Sequence, residues 1–330
     1  MEQVTLIIPC YNAAGTITRT IESALAQTVP VRIIVIDDCS TDNSFDIVTR
    51  LAAQHVRLTV HRQARNGGPG AARNAGLRLT ETPWVTGLDS DDFLLPDRTA
   101  RLLAHAQGQD LDFLADDIIR IWPGQSVEDG VRVWRDAPVG TVKVDLATFV
   151  RENTLKHAGY RREMGYLKPL MRTEFLRRND LLFREDMRLS EDYEFYARAL
   201  LAGARFEVID PCGYIALNRE GSLSKAIPTQ AMQKVVAADR ALLAAPGIDP
   251  PARAALREHL TQTRTDLEWM RLIDAVRARN LPAALGVLAC PPSVSGRIAL
   301  RLARHALGIP LYPEGPNEGR TPAPRPAKAG

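Results

Sequence analysis

The chain is organised around the segment Leu88-Asp89-Ser90-Asp91-Asp92-Phe93-Leu94-Leu95. It places three carboxylates within four residues, directly after the apolar run Trp84 to Leu88. Carboxylates this close repel one another unless a cation or hydrogen-bond donors offset the repulsion, and hard divalent ions such as Mg²⁺ and Mn²⁺ bind clustered carboxylate oxygens. The same residues could instead cap a helix that begins near Pro96. The stretch by itself leaves both interpretations open.

The residues before this stretch alternate between short apolar runs and amphipathic segments. Four runs are short and apolar, which predicts buried strands over Val4 to Pro9, Val31 to Ile36, Val56 to His61 and Trp84 to Leu88. Helical spacing of apolar residues predicts helices over Thr16 to Gln27, over Phe45 to Gln54 and from Gly70 or Ala71 onward. Alternating strands and helices form a doubly wound α/β sheet, mostly parallel, whose ligands bind beyond the carboxyl ends of the strands.

Polar groups follow these strands where ligands would bind. Asp37 and Asp38 follow the second strand, and a carboxylate there can accept a hydrogen bond from a nucleobase N–H or a ribose hydroxyl. Capping of the next helix is the alternative role. The glycine-rich segment Asn66 to Leu77 allows close backbone approach and offers a helix N-terminus to an anion, with Arg73 one turn in. The alternative there is a flexible turn with an exposed arginine.

Composition limits the classes of protein to consider. The 330 residues are 45% apolar and 25% charged, and the net charge of +3 is too small to indicate a nucleic-acid partner. The four cysteines have no CxxC spacing, so neither a zinc site nor a disulfide scaffold is expected. The N-terminus lacks the basic and apolar regions of a signal peptide, and no run approaches the roughly 18 apolar residues that span a bilayer. We expect a cytoplasmic protein.

Four segments together resemble, in order and spacing, the successive motifs of family 2 glycosyltransferases with the GT-A fold. They are Pro9-Cys10-Tyr11-Asn12, Val35-Ile36-Asp37-Asp38-Cys39-Ser40-Thr41-Asp42, Gly70-Ala71-Ala72-Arg73-Asn74-Ala75-Gly76-Leu77 and Leu88-Asp89-Ser90-Asp91-Asp92-Phe93-Leu94-Leu95-Pro96. The resemblance covers residues 1 to 225. It implies a nucleotide-sugar donor, usually UDP-linked, a divalent metal (Mn²⁺ or Mg²⁺) and inversion at the anomeric carbon.

The resemblance also implies which residues contact the nucleotide and the metal. Asp38 would bind the nucleobase, usually uracil. The other nucleotide-binding positions are Pro9, Tyr11, Asn12, Gly70, Arg73, Asp89 and Asp91. The acidic stretch is similar to the DxD motif of the family, and relatives align in two ways. Either Asp91 lies near the ribose with Asp92 on the metal, or Asp89 and Asp91 form the metal-binding pair.

Glu191 and Asp192 resemble the Glu-Asp pair of the family's acceptor motif. A sugar hydroxyl is a poor nucleophile until its proton is removed, so transfer requires a general base, and Asp192 is the candidate. Capping of the following helix is compatible with this role, since the helix dipole favours an ionised carboxylate at its start. Asp192 is expected across the pocket from the acidic stretch. Ser190 stands where the family usually has glycine.

The segment Tyr214 to Lys225 resembles the loop that closes the catalytic domain and approaches the diphosphate. The family usually has a basic residue where this chain has Leu217. The phosphate-binding role is therefore assigned to Arg219 and Lys225.

The chain is predicted to have three parts. A GT-A catalytic domain spans residues 1–227, with a nucleotide-binding half at 1–100 and an acceptor half at 101–227. The acceptor half would contain a small mixed sheet with strands over Phe113 to Arg120 and Val131 to Trp134. A helical C-terminal appendage spans 228–309, with helices over Gln230 to Ala244, Pro251 to Arg279, Pro282 to Leu288 and Ser295 to Leu307. The proline-rich tail 310–330 is expected to be disordered.

The last of these predicted helices, Ser295 to Leu307, is basic and amphipathic. One interpretation places it on an anionic membrane where a lipid-linked acceptor resides, which would make the protein peripheral at the cytoplasmic face. The other is a helix whose apolar side packs on the protein and whose basic side faces solvent.

We therefore predict an inverting, metal-dependent glycosyltransferase that moves a sugar from a nucleotide donor to a hydroxyl of a glycan or lipid-linked glycan. A sugar nucleotidylyltransferase would need a glycine-rich, basic N-terminal signature where this chain has Pro9-Cys10-Tyr11-Asn12. A nucleotide-sugar-binding scaffold without turnover is disfavoured because Asp91, Asp92 and Asp192 are all present. The donor sugar and the acceptor depend on pocket shape and do not follow from the sequence.

Overall fold

The computed structural model describes residues 3–154, 163–218 and 228–309. The predicted phosphate-binding residues Arg219 and Lys225 and the predicted disordered tail 310–330 lie outside the described residues.

The strands of the described residues are β1 (Val4–Cys10), β2 (Val31–Asp37), β3 (Leu58–Arg62), β4 (Trp84–Gly87), β5 (Phe93–Leu94), β6 (Phe113–Asp116), β7 (Ile119–Ile121), β8 (Val131–Arg132), β9 (Thr141–Val144), β10 (Leu170–Arg172), β11 (Phe206–Ile209) and β12 (Tyr214–Leu217). The α-helices are α1 (Ile17–Leu25), α2 (Ser44–Ala52), α3 (Pro69–Leu79), α4 (Arg98–Gly108), α5 (Leu146–Thr154), α6 (Thr173–Arg178), α7 (Glu191–Leu201), α8 (Thr229–Ala244), α9 (Pro250–Arg277), α10 (Leu281–Gly286) and α11 (Pro292–Ala306).

The large sheet has the strand order β3-β2-β1-β4-β10-β6-β11-β9. The first four of these strands are parallel to one another, and β10 runs antiparallel to both of its neighbours. A smaller mixed sheet has the order β5-β12-β7-β8. The expected mostly parallel α/β sheet with a small mixed sheet is confirmed, and the carboxyl ends of β1, β2 and β4 meet at one edge.

One predicted strand has the wrong bounds. The predicted strand Phe113 to Arg120 is split, with β6 in the large sheet and β7 in the small one. The break lies at Asp117, whose carboxylate accepts hydrogen bonds from the backbone N–H groups of Ile118 (2.8 Å) and Trp134 (2.8 Å) and so turns the chain. The helix expected near Pro96 is found, since α4 begins at Arg98, and the short strand β5 lies between it and the acidic stretch.

Helix α3 packs closely on the first strand because of one glycine. A Cβ atom added at Gly76 would lie 2.5 Å from Cγ2 of Ile7, so only glycine allows this approach. Because α3 carries Arg73 and follows the glycine-rich segment, its close packing fixes both at the edge of the sheet.

The C-terminal helices extend the core of the catalytic domain. Leu242 of α8 and Leu256 of α9 belong to the same buried apolar cluster as Phe113 of β6. Val294 and Ile298 of α11 are buried against the far part of α9. Within the described residues, none of the helices has the length and apolar character needed to cross a bilayer.

Candidate active site

The acidic stretch is held at the edge of the sheet by helix α1. The hydroxyl of Thr16 donates to the carbonyl of Ser90 (2.8 Å), and that of Thr20 donates to the carbonyl of Asp92 (2.8 Å). These bonds fix the backbone of the stretch and leave its side chains to make other contacts. Since α4 begins at Arg98, the alternative that the three aspartates cap this helix is wrong.

Asp92 is buried and tied to the small sheet. Its carboxylate accepts hydrogen bonds from the Tyr214 hydroxyl (2.9 Å) and from the Leu217 backbone N–H (3.0 Å). Burial raises the pKa of Asp92 well above its ordinary value, and the nearby charges of Asp89 and Asp91 raise it further, although both hydrogen bonds oppose the shift. The predicted crowding of negative charge is therefore present in the folded protein.

Lys168 joins the acidic stretch to the predicted general base. Its ammonium nitrogen lies 3.0 Å from Oδ2 of Asp192 and 3.5 Å from Oδ2 of Asp89, and its side chain is only 4% exposed. Burial alone would lower the pKa of Lys168, but the charges of Asp192 and Asp89 outweigh it and raise this pKa. The two carboxylates thus flank one buried cation, although they are about 100 residues apart in the chain.

Arg73 makes a second bridge between the same groups. Its guanidinium lies 3.1 Å from Oδ1 of Asp89, 2.8 Å from Oε1 of Glu191 and 3.3 Å from Oδ1 of Asp192. The alternative of an exposed arginine in a flexible turn is wrong, since Arg73 is buried. Burial opposes its ionised form, but the three carboxylates raise its pKa well above the ordinary value. We call Arg73, Asp89, Lys168, Glu191 and Asp192 the charged cluster.

The two acceptor-motif carboxylates are the first residues of α7. Ser190, which precedes them, has φ of 56°, in the left-handed region where glycine has no steric cost. The helix start directs both carboxylates into the charged cluster. Oδ1 of Asp192 is buried and lies 3.3 Å from the Arg73 guanidinium, but it accepts no hydrogen bond from any described residue and so retains acceptor capacity.

Asp38 organises the glycine-rich loop. Its carboxylate accepts hydrogen bonds from Gln63 Nε2 (2.5 Å) and from the backbone N–H groups of Gly67 (2.7 Å) and Gly68 (2.8 Å). Gly68 has φ of 86°, which favours glycine. These three bonds leave one of the roughly four acceptor positions of a carboxylate for a ligand.

The loops after β1 and β2 are joined to each other. The backbone N–H of Asp38 donates to the carbonyl of Cys10 (2.8 Å), and Oδ1 of Asn12 accepts from the N–H of Thr41 (2.8 Å). Tyr11 lies between these contacts in the chain, and its side chain is exposed. The predicted nucleotide-binding residues Pro9, Tyr11, Asn12 and Asp38 are therefore brought together.

Gly70 makes a different close approach from the predicted one. A Cβ atom there would lie 3.2 Å from the carbonyl oxygen of Arg184. Within the described residues, the loop before α7 is thus the backbone segment that packs against Gly70. That loop also carries Arg188, whose Nη1 donates to Oδ1 of Asn66 (3.1 Å) beside the Asp38 loop.

Three residues of this region were not singled out from the sequence: Lys168, Arg188 and Tyr214. Lys168 and Arg188 lie within segments that resemble the family, but neither has a local pattern that indicates its partner. Tyr214 begins the segment predicted to be the closing loop, but it lies in the strand β12, and only its hydroxyl contact with Asp92 shows its role.

The side chains of the acidic stretch are suited to bind a divalent cation together with the phosphates of a substrate. Among the residues described, no three or more His, Cys, Asp or Glu side chains are arranged as a complete metal site. Mg²⁺ in phosphate-binding enzymes is usually held by only one or two carboxylates, together with water and substrate phosphates. Asp91 is partly exposed beside Asp92, whose pKa is raised first by burial and then by crowded negative charge, and a cation would relieve that crowding. Asp89, in contrast, is paired with Arg73 and Lys168.

Comparison with known proteins identifies the family. The model of Glycosyl transferase family 2 matches residues 5–164. The chain is 38% identical over 290 residues to succinoglycan biosynthesis protein ExoU of Rhizobium meliloti (strain 1021), covering 88% of this chain and 84% of that protein.

Solved structures show the same fold at lower identity. S. aureus TarS 1-349 in complex with UDP-GlcNAc matches with a TM-score of 0.63 and 21% identity, over 94% of this chain and 93% of that one. The mannosyltransferase PcManGT from Pyrobaculum calidifontis, in complex with GDP-Man and Mn²⁺, matches with a TM-score of 0.56 and 18% identity, over 93% of this chain and 80% of that one. Given the fold, the family model and the long match to ExoU, this chain belongs to glycosyl transferase family 2 and is a glycosyltransferase with the GT-A fold.

Proposed function

We propose that this glycosyltransferase moves a sugar from a UDP-linked donor to a hydroxyl of a glycan or lipid-linked glycan, with inversion at the anomeric carbon. The observation that carries the proposal is the position of Asp192, which shares Lys168 with Asp89 of the acidic stretch and has one buried oxygen without a hydrogen bond from the described residues. The ligand bound to TarS supports a UDP-linked donor, and the name of ExoU supports a polysaccharide product.

The nucleotide is proposed to bind at the joined loops after β1 and β2. Asp38 would accept the uracil N–H at its remaining acceptor position. The exposed ring of Tyr11 offers a flat surface for the base, and Pro9 and Asn12 border it. Gly70 contributes by fixing the helix that carries Arg73. The Arg219 and Lys225 side chains remain our candidates for the diphosphate.

Asp91 and Asp92 are proposed to hold the divalent cation, with Asp89 turned towards the charged cluster. When bound, Mn²⁺ or Mg²⁺ would neutralise the charge of the departing diphosphate. The Mn²⁺ reported with PcManGT is consistent with such an ion. The protein's own part is to place carboxylates where the diphosphate leaves and to keep the third carboxylate, Asp89, occupied by Arg73 and Lys168.

Asp192 is proposed to be the general base. The acceptor hydroxyl would donate to Oδ1 of Asp192, which would take its proton as the hydroxyl oxygen attacks the anomeric carbon from the face opposite the leaving diphosphate. The bond to the diphosphate breaks as the new glycosidic bond forms. Lys168 and Arg73 hold the Asp192 carboxylate in position, and Glu191 anchors Arg73.

The test is Asp192→Asn, which keeps the size of the side chain but removes its basicity. Loss of a general base typically lowers the rate by about 10²–10⁴-fold, while donor binding should persist. Asp186→Asn is the matched control, because Asp186 is an exposed carboxylate in the loop before α7. Thermal shifts with a panel of nucleotide sugars, with and without Mn²⁺, would identify the donor, since a ligand of the folded state raises its stability.

Full transfer activity in purified Asp192→Asn would contradict the assigned base. Binding of a nucleotide sugar by the unsubstituted protein, with no hydrolysis or transfer on a broad acceptor panel, would instead support a scaffold without turnover.

A further inference from the structure

Helix α11 presents its charged side to the protein. Arg297 Nη2 lies 2.7 Å from Oε1 of Glu258, and Arg301 Nη2 lies 2.7 Å from Oδ1 of Asp266, both acidic residues on α9. Ile298, between them in the chain, is fully buried. The predicted packing of an apolar side on the protein is found at Val294 and Ile298, but the basic face is only partly solvated, because Arg301 is 14% exposed and pairs with α9.

The outer face of α11 is apolar. With 3.6 residues per turn, one face of the helix contains Gly296, Ala299, Leu300, Ala303, Ala306 and Leu307. All six are exposed, and Leu300 and Leu307 are 61% and 73% exposed. A solvent-facing helix surface with no charged side chain is unusual for a soluble protein and indicates an interaction site.

Helix α10 repeats this feature. Leu281 and Leu285 are one turn apart, so they share a face, and they are 74% and 67% exposed. We call the outer face of α11 together with this face of α10 the apolar surface. Both helices pack on α9, so they are part of the folded protein.

The chain segment that forms the apolar surface contains no acidic residue of its own. From Ala275 to Pro313 the sequence contains five arginines and not one Asp, Glu or Lys. Arg277 and Arg279, at the end of α9 just before α10, are exposed and have no ion-pair partner among the described residues. Exposed leucines with exposed arginines close by in the chain match an interface between anionic headgroups and acyl chains.

We propose that α10 and the outer face of α11 dock on an anionic lipid surface. The leucines of the apolar surface would enter the boundary between headgroups and acyl chains, and the arginines beside them would contact anionic headgroups. A second copy of the chain fits less well, because a symmetric interface would place the same acid-free, arginine-bearing face against itself. The proposal goes beyond the catalytic assignment and would bring the enzyme to the surface where a lipid-linked acceptor lies.

The test is sedimentation of the full chain with vesicles. Vesicles made of equal parts of phosphatidylglycerol and phosphatidylcholine should bind the protein, and pure phosphatidylcholine or high salt should weaken binding, since the lipid charge is then absent or screened. The double variant Leu300→Glu with Leu307→Glu should bind at least about tenfold more weakly. Val56→Glu is the matched control, because Val56 is an exposed apolar residue outside the apolar surface and should leave binding unchanged.

A second double variant tests α10 in the same way, so that the result does not depend on α11 alone. Leu281→Glu with Leu285→Glu should also weaken binding, and circular dichroism should show that both double variants remain folded. Transfer to a soluble acceptor should be retained in each, so failure of vesicle binding is distinguishable from failure of the catalytic assignment. Absence of vesicle binding by the unsubstituted protein, or binding unaffected by all four substitutions, would overturn the proposal. The proposal would also be overturned if the unsubstituted protein does not bind vesicles but self-associates, and the same substitutions abolish that self-association.

Discussion

Replacing Lys168 by methionine should expose how far the charged cluster depends on one buried cation. Methionine keeps much of the length of the side chain and removes its charge. The substitution leaves Asp89 and Asp192 close together with Arg73 as their remaining shared cation. We therefore expect a loss of both stability and transfer activity, because the carboxylates would repel each other and Asp192 would lose its nearest donor.

The magnitude follows from burial. Removing one partner of a buried ion pair typically costs about 3–5 kcal/mol of unfolding free energy, because a charge is left buried without compensation. Since Arg73 stays in contact with both carboxylates, we expect the lower end, about 3 kcal/mol. Lys234→Met is the matched control: its ammonium lies 2.9 Å from Asp186, but the two side chains are 49% and 43% exposed. Such exposed pairs contribute only about 0–1 kcal/mol.

Urea unfolding of the two variants at neutral pH would measure these differences. A double-mutant cycle with Asp192→Asn should give a coupling energy of about 1 kcal/mol or more, since the two residues are in direct contact. Equal costs for Lys168→Met and Lys234→Met, or additive costs in the cycle, would refute the reasoning that Lys168 acts through these carboxylates.

The same variant should have a characteristic pH dependence. Burial opposes ionisation of Asp89, but Lys168 and Arg73 outweigh it, so its folded-state pKa lies below the ordinary value of 3.8. A lowered pKa contributes stability that is present above the unfolded value and is lost as the pH falls through the folded value. The stability difference between Lys168→Met and the unsubstituted protein should therefore be largest near neutral pH and smaller at about pH 3.

Three further outcomes are expected. Asp116→Ala should lower the unfolding free energy in urea by about 3–5 kcal/mol, because it leaves the fully buried guanidinium of Arg98, 2.8 Å away, without its carboxylate. Gly76→Ala should cost about 1–3 kcal/mol by forcing α3 from Ile7, whereas Gly296→Ala, a helical glycine with open space around it, should be neutral or slightly stabilising in the same melts. Removal of divalent metal by EDTA should abolish the thermal shift produced by the donor, and Mn²⁺ should restore it.

The nucleotide-binding half of the fold was predictable because its signals are local. Strands predicted over Val4 to Pro9 and Val31 to Ile36 are found as Val4–Cys10 and Val31–Asp37. Both are buried on their two faces, as strands inside a parallel sheet are, so their sequences are continuous apolar runs. The split between β6 and β7 was not predictable, since its cause is the hydrogen bond from Trp134 to a carboxylate far away in sequence.

In the candidate site, too, some features were predictable from the sequence and others were not. Its carboxylates could be predicted because three of them lie in one short stretch and two more lie at a helix start. Arg73 was also predicted as a site residue, but its pairing with these carboxylates and the part played by Lys168 could not be predicted, because each contact depends on a partner distant in the chain. Arg73 meets Glu191 across 118 residues, and Lys168 carries no periodic or motif signal of its contact with Asp89. A sequence pattern indicates which groups are present, whereas their pairing follows from the topology of the sheet.

The position of the proposed base also depends on the helices after residue 228. Tyr193 directly follows Asp192, and its ring stacks on His259 of α9 at 4.5 Å between centroids. Its hydroxyl donates to Asp239 of α8 (3.2 Å), which is fully buried and also lies 2.9 Å from His259. A buried polar group fixes geometry only when its partners are all in place. The first turn of α7 is therefore held from one side by the charged cluster and from the other by α8 and α9, so these helices would contribute to the geometry of the proposed base.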